Sequence, residues 1–151
     1  MASFEINMVG EDALLKMLTS LENSDQTHPR IINAAAGPLE SALKAESNRH
    51  MRTGAMAGSI KATDAKKAPK SGDYYTVVRA TGKDNQSIGP DGKQRTRKKA
   101  VRNMAKMAYI QYGTSRMGQD PIIERAVQSS RNDVLTAMQS EYNKILSEGG
   151  G

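Results

Sequence analysis

Seven lysines and arginines lie close together in the second half of the chain, and they are the side chains best suited to binding a ligand. They are Lys93, Arg95, Arg97, Lys98, Lys99, Arg102 and Lys106. Clustered cations bind polyanions because each phosphate contact releases counterions. The cluster therefore predicts contact with DNA phosphates or with an acidic protein partner. The alternative is a solvated helix start beside a mobile loop, but the density of the run and its lack of acids favour a binding role. Base-specific DNA recognition is not expected, because no recognition-helix motif or set of stacking aromatic residues accompanies the cluster.

The sequence offers little for catalysis or metal binding. Its two histidines, His28 and His50, lie far apart in polar surroundings without paired carboxylates at metal-ligand spacing, so we interpret both as surface residues. The chain contains no cysteine, which excludes disulfides, thiolate metal sites and cysteine nucleophiles. We therefore expect neither enzyme activity nor a cofactor.

Hydrophobic periodicity predicts the elements that position these residues. Residues 3–8 alternate polar and apolar, which is typical of a short strand, and apolar residues at helical spacing over 14–21 predict a first helix. A second helix is predicted from Pro29 onward. Proline cannot donate to the preceding turn and crowds it, so Gly37-Pro38 is expected to kink this helix or to divide it in two.

Two strands are predicted next, over residues 59–63 and 74–80. The second of them is rich in β-branched and aromatic residues, which favour strands. A basic turn over residues 66–72 separates the two strands. We expect them to form a hairpin that is closed at Thr81-Gly82.

The second half of the chain is predicted to contain a loop and two helices. Residues 83–96 lack periodicity and include the turn cluster 89–92, so we expect a long, polar, basic loop. A third helix is predicted over 97–112. The last and longest helix is predicted over 121–146, with Asp120 as its N-cap.

Together these patterns predict an α+β fold, with a small antiparallel β-sheet packed by three to four helices including a long C-terminal helix. We expect a single domain over residues 1–148 and a flexible tail over 149–151. Nine methionines, one phenylalanine and no tryptophan predict an aliphatic core without many rings. The open edges of so small a sheet need covering, and pairing between subunits in a ring would cover them.

The formal net charge of +6 suits an anionic neighbour. No apolar stretch approaches the roughly 20 residues that span a bilayer, and the N-terminus lacks the pattern of a secretion signal. We therefore expect a soluble protein that is made in a cytoplasm and does not contact membranes.

Three short segments follow one another in a recognisable order. Residues 50–60 contain a basic residue followed by Thr-Gly and Ser-Ile, and residues 108–114 contain two aromatic residues followed by Gly-Thr. Residues 121–126 begin the terminal helix with a proline and hydrophobic residues. In this order the three segments resemble the head–tail joining, neck and tail-completion proteins of long-tailed bacteriophages, and the resemblance covers residues 29–146. This chain carries Gln111 where the family often has an acid and Ile122 where an aromatic residue is frequent.

The boxes are also suited to scaffold roles. Thr53 and Gly54 can cap and turn the chain between a helix and a strand. Gly113 can end the third helix in a left-handed conformation, and Pro121 pre-sets the backbone of the last helix. None of these roles requires a substrate.

The resemblance implies a ring of identical subunits in the virion, at the neck or tail end, assembled in the host cytoplasm. Its partners would be the portal-side connector and the tail-tube or tail-terminator proteins, and DNA would pass through its lumen without sequence-specific contact. On this hypothesis the basic cluster faces DNA or docks an acidic neighbour, while Tyr74 and Tyr112 lie at subunit interfaces. A small basic DNA-binding accessory protein is the alternative, and a small hydrolase or nuclease is a weaker one.

Overall fold

A computed structural model of the protein describes residues 24–50 and 54–150. Its first helix, α1, spans Ser24–Asn48 and includes both Pro29 and Pro38. The helix starts earlier than predicted and is continuous past Gly37-Pro38, so the alternative in which it divides there is wrong. A helix tolerates the backbone hydrogen bond lost at a proline when packing holds the flanking turns, and Ala36 and Leu43 are buried on either side of Pro38.

The last helix, α4 (Ile122–Gly150), lies antiparallel to α1. Arg30 near the start of α1 donates from Nε to Glu141 Oε1 at 2.9 Å, in the second half of α4. Arg125 in the first turn of α4 donates from Nε to Glu46 Oε2 at 2.8 Å, near the end of α1. Ion pairs near both ends therefore hold the two long helices in one register.

Between these helices the chain forms a short helix and an interrupted hairpin. The elements are α2 (Ala55–Gly58), β1 (Ile60–Ala62), β2 (Lys66–Lys67), β3 (Tyr74–Tyr75) and β4 (Val78–Ala80). Strands β1 and β4 pair antiparallel, and so do β2 and β3. The predicted hairpin is confirmed in outline, but the strand predicted over 74–80 is broken into β3 and β4.

Threonine side chains explain the break in that strand. Thr76 Oγ1 donates to the main-chain carbonyl of Thr63 at 2.5 Å, and Val77 N–H donates to Thr63 Oγ1 at 3.2 Å. Local side-chain hydrogen bonds of this kind compete with the regular ladder. The two strand pairs are therefore separated by an irregular step at Thr63 and Thr76.

The predicted loop over residues 83–96 and the predicted helix start at Arg97 are both wrong. Strand β5 (Lys83–Ile88) pairs antiparallel with β6 (Gln94–Arg102), and the Gly89–Gly92 cluster forms the turn between them. Helix α3 (Asn103–Tyr112) begins only after β6. Polar hairpins lack the apolar alternation by which strands are recognised, which is why the turn was predicted and its strands were not.

Asn103 joins this hairpin to the rest of the fold. Its N–H donates to the carbonyl of Gly82 at 3.0 Å, and its Nδ2 donates to the carbonyl of Thr81 at 2.8 Å. Its side chain is only 4% exposed. The base of the basic hairpin is therefore anchored where β6 turns into α3.

Helix α3 ends at Gly113, as predicted, although the backbone there is not in the left-handed helical conformation. Gly113 has φ 77° and ψ 177°, so its φ is positive while its ψ is extended. The chain then folds back against it. A Cβ at this position would lie 2.8 Å from Gln119 N and 2.9 Å from Met117 O. Only glycine satisfies both the positive φ and this close backbone contact.

A side chain from α3 caps the start of α4. Ile123 N–H donates to Gln111 Oε1 at 2.9 Å, and Gln111 is 5% exposed. The predicted cap, Asp120, instead directs its carboxylate to His50 and Arg125. A side chain of the preceding helix therefore accepts a hydrogen bond from a main-chain N–H in the first turn of α4.

The core lies where α1, α2, the β1–β4 pair, α3 and the start of α4 meet. Its buried cluster contains aliphatic and methionine side chains and no aromatic ring among the described residues, as predicted: Leu43, Met56, Ile60, Ala80, Met107, Ile110, Ile122 and Ala126. The predicted α+β class, with a long C-terminal helix, is confirmed. The described strands form three two-stranded antiparallel sheets.

Several predictions concern the ends of the chain. The strand over residues 3–8, the helix over 14–21 and the cap at Thr53 lie outside the described residues. Helix α4 extends beyond the predicted end at residue 146 to Gly150. Within residues 24–50 and 54–150, no helix is long and apolar enough to cross a membrane.

We predict that Gly113→Ala destabilises the protein by about 1–3 kcal/mol, because a Cβ there meets backbone atoms and the positive φ is strained for alanine. Urea denaturation followed by circular dichroism measures the effect. Gly118→Ala is the matched control, since nothing lies within 4 Å of a Cβ at that position. Equal stabilities for the two variants would contradict the role given to Gly113.

Candidate functional site

Positive charge is concentrated in one segment of the chain. Residues 83–106, which comprise β5, β6 and the start of α3, contain eight of the 22 lysines and arginines and two of the 16 acids. Their net charge is therefore +6, equal to that of the whole chain, and the remaining residues sum to zero. An anionic partner is consequently attracted most strongly to this segment.

A large bulge presents the central cations of this segment. The register passes from Asp84 paired with Val101 to Gln86 paired with Thr96. Asn85 alone thus lies opposite the four residues 97–100 of β6. Extra residues in one strand leave the ladder and bend it outward. The bulge contains Arg97, Lys98 and Lys99, all of them exposed.

The remaining cations divide into paired and unpaired ones. Arg95 forms an ion pair with Asp91 at 3.1 Å, across the turn. Lys106 binds Asp84 at 2.7 Å, and that carboxylate is only 10% exposed, so this pair belongs to the structure of the hairpin. Five of the seven lysines and arginines that the sequence predicted as a binding cluster have no carboxylate within 4 Å in the described part of the chain: Lys93, Arg97, Lys98, Lys99 and Arg102. These five side chains are available to bind a partner.

A second cluster of charges joins the end of α1 to the start of α4. Arg125 donates to Glu46 and to Asp120 Oδ1, and His50 Nε2 lies 2.6 Å from Asp120 Oδ2. Arg49 approaches the same Glu46 carboxylate at 3.6 Å. The sequence pattern gave His50 no acidic partner, because Asp120 is 70 residues away along the chain.

Hydrogen bonds explain the acid–base properties of this cluster. The pKa of Asp120 is lowered from its usual 3.8 to about 2, first by the hydrogen bond from Arg125 and then by that from His50. The pKa of Arg125 is raised because its guanidinium is hydrogen-bonded to Asp120 and Glu46. Asp120 therefore stays ionised well into the acidic range.

Tyr74 lies in a third polar cluster, at the start of α1. Its hydroxyl donates to Asp25 Oδ1 at 2.5 Å, and Lys67 Nζ binds the same oxygen at 2.9 Å. The His28 ring packs edge-on against the Tyr74 ring, with centroids 5.9 Å apart. The hydrogen bond to Asp25 raises the pKa of Tyr74, and the hydrogen bond from Tyr74 lowers that of Asp25. This predicted interface residue thus has polar contacts to other residues of its own chain.

Tyr112, the other predicted interface residue, is 75% exposed at the end of α3. Tyr109, one turn earlier on the same face, is 51% exposed. On the neighbouring helix α4, Val127 and Leu135 are 50% and 55% exposed. The two tyrosines of α3 are candidate contacts for another protein, because exposed aromatic side chains are frequent interface anchors.

These arrangements can bind anions and apolar surfaces. Among residues 24–50 and 54–150, no group of three or more histidine, cysteine or acidic side chains is arranged to hold a metal ion. The Nε2 atom of His50 is engaged by Asp120, whose other oxygen binds Arg125. The charges of this cluster therefore serve to hold two helix ends together.

Comparison of the chain with protein-family models, with curated proteins and with solved structures gave no match.

We predict that acid weakens the protein partly through Asp120. Its folded-state pKa lies below its usual value, so its stabilisation is complete above about pH 4 and is lost as the pH falls through about 2. Asp120→Asn should therefore lower the urea midpoint at pH 7, and its difference from the wild type should shrink between pH 4 and pH 2. Asp133→Asn, at an exposed carboxylate without an ion pair among the described residues, is the control. A wild-type–variant difference that is independent of pH would contradict the assignment.

Proposed function

We propose that the protein is a structural virion component of a tailed bacteriophage, which forms a ring at the head–tail junction or tail end. The ring would join head to tail and let DNA pass. The observation that carries this proposal is the concentration of positive charge on one bulged hairpin, with exposed cations in the bulge. The resemblance of three ordered sequence boxes to neck and tail-completion proteins supplies the biological context.

The separation of charge suits a ring that surrounds DNA. The rest of the chain carries charges of both signs, so it can pack against copies of itself with less repulsion than a uniformly basic surface would create. Exposed cations on an arm can then neutralise phosphates without reading bases, because backbone contacts carry no sequence information. The bulge supports this role, because the residues Arg97, Lys98 and Lys99 lie outside the paired register of β5 and β6.

The body also has features suited to subunit contacts. Helices α1 and α4 form a rigid pair that is joined by ion pairs near both ends. Tyr109 and Tyr112 expose a tyrosine face on α3, and exposed aromatic side chains are frequent interface anchors. Tyr112 is better placed than Tyr74 for this role, because the Tyr74 hydroxyl is bound to Asp25.

We predict that the protein forms homo-oligomers, alone or on meeting a partner ring, and that Tyr112→Ala weakens them. Loss of a buried aromatic anchor typically costs about 2 kcal/mol, which is a roughly thirtyfold weaker association. Mass photometry over a dilution series measures the change. Tyr75→Ala is the matched control, because Tyr75 is also exposed but lies on β3. A protein that stays monomeric, alone and with head or tail components, would count against the ring.

We predict that the triple variant Arg97→Gln, Lys98→Gln, Lys99→Gln binds duplex DNA more weakly and with a lower salt dependence. Three lost phosphate contacts reduce the slope of log K against log salt by about 2.7. Fluorescence anisotropy of a labelled duplex between about 50 and 200 mM salt measures this slope. The control variant replaces Lys61, Lys66 and Lys70 with glutamine. These lysines are exposed on the other hairpin, and their replacement removes the same amount of positive charge. Equal losses in both triple variants would show that only net charge matters.

The basic hairpin also favours a second candidate, a small basic DNA-binding accessory protein. The two candidates differ in their oligomeric state, and only the accessory role requires the isolated protein to bind DNA. A protein that binds DNA with a steep salt dependence, and remains monomeric with every head or tail component, would support the accessory role. Absence of DNA binding at low salt would exclude that role and leave the ring proposal standing.

A further inference from the structure

A cleft of about 530 Å³ lies beneath the basic hairpin. It is bounded by the end of α1, by α2, by both strands β5 and β6, and by α3. This cleft is separate from the outward side of the bulge, because Lys98 and Lys99 do not line it whereas Arg97 does. The hairpin therefore offers one surface to solvent and another to the cleft.

The lining of the cleft combines apolar side chains with positive charge. Its apolar part includes Met56, Val101, Ile110 and Met117. Its cations are Arg49, Arg97 and Lys106, and no aspartate or glutamate is present among the described residues that line it. A site of this composition matches a ligand that carries both carboxylates and apolar groups.

Arg97 is the cation in this lining that is free to bind a ligand. Lys106 is held by Asp84 at 2.7 Å, and Arg49 lies 3.6 Å from Glu46. Within the described part of the chain, Arg97 has no carboxylate within 4 Å and its side chain is exposed. A guanidinium can bind a carboxylate through two parallel hydrogen bonds, which makes this residue a specific anchor.

Ser47 is a buried polar residue in the wall of the cleft. Ser47 lines it from α1 and is 0% exposed, and its Oγ has no hydrogen-bond partner among residues 24–50 and 54–150. A buried polar group without a partner costs about 1–3 kcal/mol. The wall of the cleft therefore contains an unsatisfied polar group beneath its surface.

We propose that the cleft binds an acidic peptide segment with apolar side chains, supplied by a partner protein. An apolar side chain of the peptide enters the cleft beside Met56 and Met117, and a neighbouring carboxylate pairs with Arg97. Nucleic acid fits less well, because a duplex backbone has no flexible apolar group to place against methionine and isoleucine. The proposal does not depend on the ring, since any acidic partner with this pattern would satisfy it.

The test uses the full chain and two fluorescein-labelled octapeptides, one of alternating glutamate and leucine and one of alternating glutamate and serine. The two peptides have the same charge and differ only in apolar content. In fluorescence anisotropy at about 150 mM salt, where long-range attraction is screened, we expect the leucine peptide to bind at least about fivefold more tightly. Met117→Gln, at a residue that is 41% exposed, should reduce that preference.

Arg97→Gln and Lys98→Gln form the matched pair of variants. Both remove one exposed cation from the same bulge, but only Arg97 lines the cleft. We expect Arg97→Gln to weaken binding of the leucine peptide about fivefold to tenfold and Lys98→Gln to change it less than about twofold. Thermal unfolding of each variant confirms that the fold is retained.

Three results would overturn the proposal. The first is no binding of the leucine peptide up to about 1 mM, an affinity too weak for a specific site. The second is equal weakening by Arg97→Gln and Lys98→Gln, which would reduce the attraction to general electrostatics. The third is displacement of the peptide by duplex DNA whose own binding depends on Arg97 more than on Lys98, because nucleic acid would then be the occupant of the cleft.

Discussion

Arg125 is the side chain on which the arrangement of the helices depends most directly. Its guanidinium contacts Glu46 near the end of α1 and Asp120 just before α4, and Asp120 in turn contacts His50. The Asp120 N–H donates to the carbonyl of Ile110 at 2.8 Å, so the end of α3 joins the same set of contacts. Each carboxylate in the cluster is paired, which matters because a partly buried carboxylate that loses its cation keeps its desolvation cost without compensation. The ends of α1 and α3 and the start of α4 are thus joined through Arg125 and Asp120 together.

That rigid junction contrasts with the way the basic hairpin is attached. The hairpin is held by its own ladder, by Asn103 at its base and by the pair of Lys106 with Asp84. It contributes Ile88 and Val101 to the cleft beneath it, but neither residue belongs to the buried core. Segments with few buried apolar contacts open locally at low free-energy cost. An arm of this kind can adapt to an irregular polyanion while the body keeps its shape, which is the mechanical requirement of the proposed ring.

The sequence predicted what is encoded locally and missed what depends on distant partners. Helical spacing located α1, α3 and α4, and the glycine at position 113 marked the end of α3, because apolar periodicity and backbone freedom are properties of neighbouring residues. The β5–β6 hairpin was missed since its strands are polar on both faces and its stability comes from the turn and from contacts at its base. The pairing of His50 with Asp120 and that of Tyr74 with Asp25 were missed because 70 and 49 residues separate the partners. The basic cluster itself was predicted, and Lys106 does lie on α3, but the cations from Arg95 to Arg102 were assigned to a loop and a helix where the structure has a bulged strand.

Arg97 belongs both to the bulge and to the lining of the cleft, so ligands at these two places would affect each other's binding. Lys98 and Lys99 lie in the same four-residue bulge as Arg97, within one or two residues of it. A polyanion on the outer side and an acidic peptide in the cleft would therefore place like charges within a Debye length of each other, about 8 Å at physiological salt. Each ligand would weaken the binding of the other by the same factor, because the coupling between two binding equilibria is reciprocal. On both proposals together, a subunit whose cleft holds an acidic partner releases DNA more readily than a free one, and raising the salt concentration reduces this difference.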